Sequence, residues 1–316
     1  MISIFPHHPK GYIRYSVLTY IIQNYDIVHE IEEKDPHAEY ILVTDDKNLK
    51  SDTWEVVYDE RLEGLSTFDK CYSIRFNLFR YCHSDICIRI DGNIKIKKSL
   101  KTIIDIFEKG KYDAALMPHP LRHNFVAEYD EWVKVRAYPI QQAERCIDIM
   151  RQGGYDLNYK GLFQLCFAIN RKGKTTSDID RMTMELMKKM GKVNEIERID
   201  QIPFSCIMNM FFSNLKILPV SEQIVRSPYM TWYLHGGKEP NTNVFYDESM
   251  DDIHYMFNKQ VKCIYFKGPL LYRIKKKYSK LEWSTLIFDI YNCLSYRSRL
   301  SYEWLVRFCR NRKAPY

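Results

Sequence analysis

Apolar residues recur along the first part of the chain in two alternating rhythms, period two and then period three to four. Ile13 to Thr19, Tyr40 to Thr44, Glu55 to Tyr58 and Ile86 to Ile90 are short and rich in β-branched and aromatic residues, which predicts four strands. Thr67 to Tyr81 carries a helical pattern, and Leu100, Ile103, Ile104 and Phe107 mark a further helix that Gly110 stops. Ala114 to Met117 follows as a strand. Strands alternating with helices predict an α/β domain: a mostly parallel sheet flanked by helices, with its ligand crevice at the carboxyl ends of the strands.

Further on, the pattern predicts a helix over Ile140 to Met150, ended by Gly153-Gly154, and an apolar strand over Phe163 to Ile169. A polar helix from Asp178 to Met190, an apolar helix that follows Asp200 and runs through Phe212, a late strand over Leu215 to Val220 and a compact turn at Leu234 to Pro240 complete this part. We divide the chain into a catalytic-type domain over residues 1–250 and a helical extension over 251–316. In the extension, Leu286, Ile290, Cys293 and Leu294 form an apolar stripe.

Composition narrows the classes. With 316 residues, 46% hydrophobic and 14% aromatic, the chain has enough apolar surface for a large core, so disorder is excluded. No apolar run reaches the roughly eighteen residues of a membrane span. The nearest, Phe204 to Val220, is broken by Asn209, Asn214 and Lys216. Met1 to His8 has neither the basic start nor the apolar core of a signal peptide, so the expectation is a cytoplasmic protein. Nine cysteines occur without a C-x-x-C pair, and Cys87, Cys146 and Cys166 fall on apolar faces, which suits reduced core thiols.

Charge is uneven. Lys267 to Lys313 holds 12 Lys and Arg against Glu282, Asp289 and Glu303, a net +9 in a chain of net +7, so the remainder is −2. A basic, aromatic tail suits peripheral attachment to an anionic membrane surface, or a helical appendage packed on the domain; the two are compatible. Nucleic-acid binding through the tail is a third reading, but it leaves the acidic turns of the first domain unused and no base-reading motif accompanies it, so no nucleic acid is expected.

Those acidic turns carry the candidate chemistry. Asp91-Gly92-Asn93 directly follows the strand Ile86 to Ile90. The D-x-[DN] spacing occurs four times, at Asp46, Asp91, Asp156 and Asp178, and only at Asp91 does it end an alternating apolar strand. A carboxylate and an amide oxygen two positions apart suit a hard divalent cation, Mn2+ or Mg2+, which takes one or two protein oxygens and fills its shell with phosphate and water. Asp26 and Thr44-Asp45-Asp46 also follow strands and are placed to face the same crevice; turn formation and helix capping are the competing account of all three.

Taken in order, several segments resemble the glycosyltransferase-like family typified by the TOD and MUCI proteins, related to the family 8 glycosyltransferases. They are Thr19-Tyr-Ile-Ile-Gln-Asn-Tyr25-Asp26, Tyr40 to Asp46, Trp54-Glu-Val-Val57, Lys70 with Arg75, and Ile90-Asp-Gly-Asn-Ile-Lys-Ile96. Pro118-His-Pro-Leu-Arg122 with Glu128, Asn194-Glu-Ile-Glu-Arg198 with Asp200-Gln201 and Phe204, and His235-Gly-Gly-Lys238-Glu-Pro240 continue the series. The last is a shortened form of the family 8 His-x-x-Gly-x-x-Lys-Pro turn, and Asn93 stands where many of these enzymes have a second Asp.

The resemblance implies a GT-A fold and a metal-dependent hexosyltransferase. It would move a hexose or hexuronic acid from a nucleotide sugar, with a UDP-sugar expected and retention favoured, to a glycan or lipid-linked glycan in surface polysaccharide synthesis. Asp91, Asn93 and His235 would hold the metal, and Thr19, Tyr25, Asp26, Asp45, Lys70, Arg75 and Lys238 the donor. Asp200 and Gln201 would sit at the sugar, with an N-cap as the alternative for Asp200. His119, Arg122 and Gly161 would line the acceptor side. A nucleotidyltransferase, or an inactive relative that only binds nucleotide, uses the same residues and remains open here.

Overall fold

The computed structural model describes residues 12–119, 128–129, 140–157, 161–190, 200–237 and 240. Arg122, Asn194 to Arg198, Lys238 and the whole extension over 251–316 lie outside these residues, as do the expectations placed on them.

The elements in chain order are β1 (Tyr15–Ile21), β2 (Ala38–Thr44), β3 (Glu55–Tyr58), α1 (Thr67–Arg75), β4 (Ile86–Ile90), β5 (Ile94–Ile96) and α2 (Lys101–Lys109). They continue as β6 (Ala114–Pro118), α3 (Ile140–Gln152), β7 (Phe163–Arg171), α4 (Lys174–Met190), α5 (Gln201–Phe211), β8 (Ile217–Pro219) and β9 (Met230–Trp232). A seven-stranded sheet has the order β3-β2-β1-β4-β7-β6-β8. The first four strands run parallel, β7 runs antiparallel to both its neighbours, and β8 is parallel to β6. The expected mixed α/β architecture is what the chain adopts.

Alternation along the strands divides the core between the two sheet faces. Val17, Ile88, Ile90, Phe167 and Met117 point to one face, where Ile103 and Phe107 of α2 cover them. Leu18, Tyr20, Cys87, Leu116 and Ala168 point to the other, beneath Ile74 of α1, Leu186 of α4 and Ile202 of α5. The six described cysteines are thiols. Among the described residues no helix is long and apolar enough to cross a membrane.

Several boundaries differ from the sequence expectation by a few residues. β1 starts at Tyr15 and runs on to Ile21, because it pairs along its full length with β2. The helix expected over Thr67 to Tyr81 ends at Arg75, where Asn77 leaves helical backbone and its Nδ2 donates to the Ser73 carbonyl at 2.9 Å; a short 3-10 turn, Leu78–Arg80, follows. α4 starts at Lys174, four residues before Asp178. β5 and β9, three residues each and paired antiparallel, are too short for any periodicity to announce them. They matter because they fasten the segment after Asn93 to the segment before His235.

Candidate functional site

The parallel arrangement of β2, β1 and β4 brings the three acidic turns to one edge of the sheet, and hydrogen bonds tie them together. The Gln23 amide donates to Asp45 Oδ1 at 2.8 Å and Asn24 Nδ2 donates to Asp46 Oδ2 at 3.1 Å, joining the loops after β1 and β2. From α1, Lys70 Nζ donates to Asp45 Oδ2 at 2.7 Å, both side chains being 12% exposed. Burial pushes the Asp45 carboxyl up, but the Lys70 ammonium and the Gln23 amide outweigh it and hold the group below the usual carboxylate range.

On the other side of the β1 loop, Asp26 accepts from the Gly236 amide at 2.9 Å, and both its oxygens lie 3.1 Å from His235 Nδ1. The Tyr25 ring stands 5.0 Å from the His235 ring and is 62% exposed, so it is not a core tyrosine. His29 stacks on Tyr233 at 4.2 Å, and burial is the main reason its imidazole titrates below the ordinary value.

The Asp91-Gly92-Asn93 turn closes the crevice from below. Its amide at Asp91 donates to the Cys166 carbonyl at 3.0 Å. The Asn93 carbonyl accepts from the Tyr233 amide at 2.8 Å, and Asn93 Nδ2 donates to the Tyr233 carbonyl at 2.9 Å. Gly92 is required by close approach. A Cβ there would stand 2.7 Å from the Tyr20 carbonyl and 3.3 Å from Asp26 Oδ2, so only glycine lets the turn press against the end of β1.

Arg75, the last residue of α1, is the hub. Its guanidinium donates to Tyr20 Oη at 2.6 Å, to Asp91 Oδ1 at 2.9 Å and to Asp200 Oδ2. Burial works against the Arg75 charge, but Tyr20, Asp200 and Asp91 outweigh it and fix the guanidinium as a cation. Arg89 reaches the same Asp91 oxygen from within β4, at 3.6 Å. Asp200 occupies the N-cap position of α5 and yet makes no capping hydrogen bond; its 1%-exposed side chain is committed to Arg75. The capping account of Asp200 therefore does not describe this chain.

Among the described residues eight buried side-chain atoms have no hydrogen-bond partner, and four belong to predicted site residues: Thr19 Oγ1, Arg75 Nε, Asn93 Oδ1 and Gln201 Oε1. Such atoms are rare in folded interiors, where leaving one unsatisfied costs about 1–3 kcal/mol. Three of the four surround Asp91 and Asp200; Thr19 is enclosed within β1.

The donor set can be tested against a divalent cation. Among the described residues no three side chains from His, Cys, Asp and Glu converge into a ready-made cage. What is present is a carboxylate at Asp91 whose two arginine contacts both fall on Oδ1, and, two residues on, an amide oxygen at Asn93 that is buried and unpartnered. His235 is joined to this turn through Asp26, which lies against Gly92. One carboxylate, one orphaned amide oxygen and an adjoining imidazole fit a magnesium- or manganese-type ion that keeps phosphate and water in its shell.

Of the residues that the resemblance assigns to an acceptor, His119 is buried just after β6 and its amide donates to the Leu162 carbonyl at 2.7 Å; Glu128 is also buried. Gly161 has φ +122° and would meet Asn209 Oδ1 at 3.1 Å with a Cβ, so its conformation and its closeness to α5 both demand glycine. Sequence reasoning missed Tyr20 and Arg89. For Arg89 a signal was available: a lone arginine inside an otherwise apolar buried strand.

No protein-family model matches the sequence, and no curated protein matches it. Among solved structures the chain is similar to the apo form of mouse xyloside xylosyltransferase 1, at 10% identity and TM-score 0.38, over 66% of this chain and 85% of that one. It is also similar to the apo structure of the bifunctional glycosyltransferase WbbM, at 13% identity and TM-score 0.38, over 67% of this chain and 39% of that one.

Proposed function

We propose that the protein is a GT-A glycosyltransferase that transfers a hexose or hexuronic acid from a nucleotide sugar, a UDP-sugar in the first instance, to a glycan or lipid-linked glycan acceptor. The observation that carries the reading is the Arg75 guanidinium shared by Asp91 and Asp200, with orphaned polar atoms of Arg75, Asn93 and Gln201 around it. Two carboxylates held by one cation at the carboxyl edge of a parallel sheet form a fixed polar site that a divalent cation would complete for a ligand carrying negative charge.

In this reading Tyr25 offers its exposed face to the base, and Asp45, kept ionised by Lys70, accepts from a ribose hydroxyl. Asp91, Asn93 and His235 would hold Mn2+ or Mg2+, which supplies charge neutralisation at the leaving diphosphate. Arg75 fixes the separation of Asp91 from Asp200. Its unpartnered Nε and the Gln201 amide oxygen are placed to take sugar hydroxyls, so the donor sugar lies over the guanidinium. Asp200 would stabilise positive charge developing at the anomeric carbon. Retention is the stereochemical outcome we favour. Synthesis of a surface polysaccharide, with residues 267–313 resting on an anionic membrane, is the setting that fits the basic tail.

A thermal-shift panel of nucleoside diphosphates, nucleoside triphosphates and nucleotide sugars, each with and without Mn2+, tests the reading on wild type and Asp91→Ala. A ligand at 100 times its dissociation constant adds about 2.7 kcal/mol to stability. The expected result is a Mn2+-dependent shift with UDP and one UDP-sugar that Asp91→Ala abolishes. A shift with nucleoside triphosphates alone would give the site to nucleotidyl transfer, and no shift with any nucleotide would sink the proposal.

A further inference from the structure

Arg89 is the group on the sheet that the proposed chemistry leaves unexplained. It sits in the middle of β4, where every residue is buried, and its own side chain is 3% exposed. A charge taken this far from water is costly unless it is compensated, and natural cores place leucine or isoleucine at such positions.

Its surroundings explain where it is anchored. The β6–β7 ladder changes register between Leu116 and Met117, from Leu116 opposite Ala168 to Met117 opposite Gln164, so the β7 residues between Gln164 and Ala168 have no counterpart on β6. This irregularity leaves the Leu165 carbonyl without a β6 partner, while the Cys166 carbonyl faces β4 in the unbroken antiparallel register of β4 and β7. The Leu165 carbonyl accepts from the Arg89 guanidinium at 2.6 Å, and the Cys166 carbonyl accepts from the Asp91 amide at 3.0 Å. The bulge thus frees the carbonyl that anchors the arginine side chain, one residue from the β7 carbonyl that holds the Asp91 amide; bulges of this kind recur beside active sites, where they re-aim a side chain.

The anchored guanidinium lies 3.6 Å from Asp91 Oδ1, the oxygen that Arg75 also holds, at 2.9 Å from the opposite element. Two cations from different elements on a single oxygen fix the carboxylate's rotation. Oδ1 is turned to the arginines and Oδ2 is left as the oxygen that meets a ligand.

We propose that Arg89, fixed by the β7 bulge, is a positioning residue that sets the orientation of the Asp91 carboxylate for ligand binding. It rests on the glycosyltransferase reading for the identity of that ligand, while the orientation itself does not. A purely structural role, satisfying the Leu165 carbonyl, is the competing account.

Arg89→Gln separates the two, because its amide still donates to a carbonyl but presents no charge to Asp91. Arg89→Lys keeps the charge without the planar guanidinium, whose Nη1 faces both partners. On the full chain, calorimetric titration of UDP in the presence of Mn2+ should show Arg89→Gln weakened on the order of 10- to 100-fold, as for other residues that orient a ligand group, with Arg89→Lys intermediate. Crystal structures of wild type and Arg89→Gln should show the Asp91 carboxylate rotated in the variant. Unchanged affinity with an unmoved carboxylate overturns the proposal, whatever happens to the melting temperature. Should Arg89→Gln fail to fold, Arg89→Lys decides by the same two readouts. If wild type binds no nucleotide, the functional reading fails, and the orientation of Asp91 in the crystals alone decides whether Arg89 positions it.

Discussion

The two ends of the crevice are built differently. At the β1–β2 end each carboxylate is served by its own neighbours: Asp45 by Lys70 and the Gln23 amide, Asp26 by His235 and the Gly236 amide, with Tyr25 exposed between them. At the β4 end a single guanidinium, Arg75, is divided among Tyr20, Asp91 and Asp200, with Arg89 behind it. The first end is a set of separate pairs, so removing one member disturbs only its own partner. The second is an enclosed network in which removing one member leaves a charge without its partner. Binding contacts tolerate the first construction; a reacting centre, which needs fixed geometry, calls for the second.

The comparison is sharpened most by Asp91→Ala. We expect a loss on the order of 10²–10³ in transfer rate, the size associated with removing one electrostatic contact to a developing charge, together with loss of the Mn2+-dependent UDP shift. Next is Arg75→Met, which strands Asp91 and Asp200. Breaking a buried ion pair from one side costs about 3–5 kcal/mol, and Arg75 is only 14% exposed against a 1% exposed Asp200. Urea unfolding measures this directly. If Arg75→Met unfolded at the wild-type midpoint, the β4 end would be no network and the contrast would collapse.

How much of this could be read in the sequence follows the same division. The parallel strands β2, β3 and β4 were legible because their apolar runs are bounded by turn residues, and Asp26, Asp45 and Asp91 could be placed on one edge because each follows a strand. That Arg75 and Asp200, 125 positions apart, share one contact could not be read, since helix spacing says nothing about a side chain leaving the end of α1 for the start of α5. His235 was expected at the metal, and the pairing seen is with Asp26, a contact across 209 positions. Nor could the need for glycine at position 92 be read, since it comes from contact with the Tyr20 carbonyl.

Asp180, on α4, provides a test that reads the enclosed end through pH. Burial pushes its carboxyl up to about 7, with Arg89 pulling weakly the other way. An unfolded Asp titrates near 3.9, so between about pH 4 and pH 7 the folded state holds a proton that the unfolded state has released. Stability therefore falls as pH rises across that window. Asp180→Asn should abolish this slope and stabilise the protein at pH 8 by at most about 4 kcal/mol, with little change at pH 4.5, measured by denaturant unfolding at both. Asp45 has the opposite sign. Its depressed carboxyl contributes stability above the unfolded value that is lost as pH falls through the folded one, and Lys70→Met should remove about 1.5 kcal/mol of it, as befits a single charge-assisted hydrogen bond.

The smallest expected effect is at Tyr25, and it is the one that most directly separates binding from folding. The residue follows Gln23 and Asn24, whose φ values of 53° and 52° turn the chain outward, and it presents a ring that is 62% exposed. Little is buried to lose, so Tyr25→Ala should leave the unfolding midpoint where it is. If the ring stacks on a base, the substitution removes a contact of about 1 kcal/mol, the low end for base stacking, and weakens UDP about fivefold. Tyr25→Phe keeps the face and should bind as wild type. Pyrophosphate, which has no base, should bind wild type and Tyr25→Ala alike. Equal weakening of UDP and pyrophosphate would mean that Tyr25 acts through His235, whose ring lies 5.0 Å away, and that the open end of the crevice is coupled to the metal-binding turn after all.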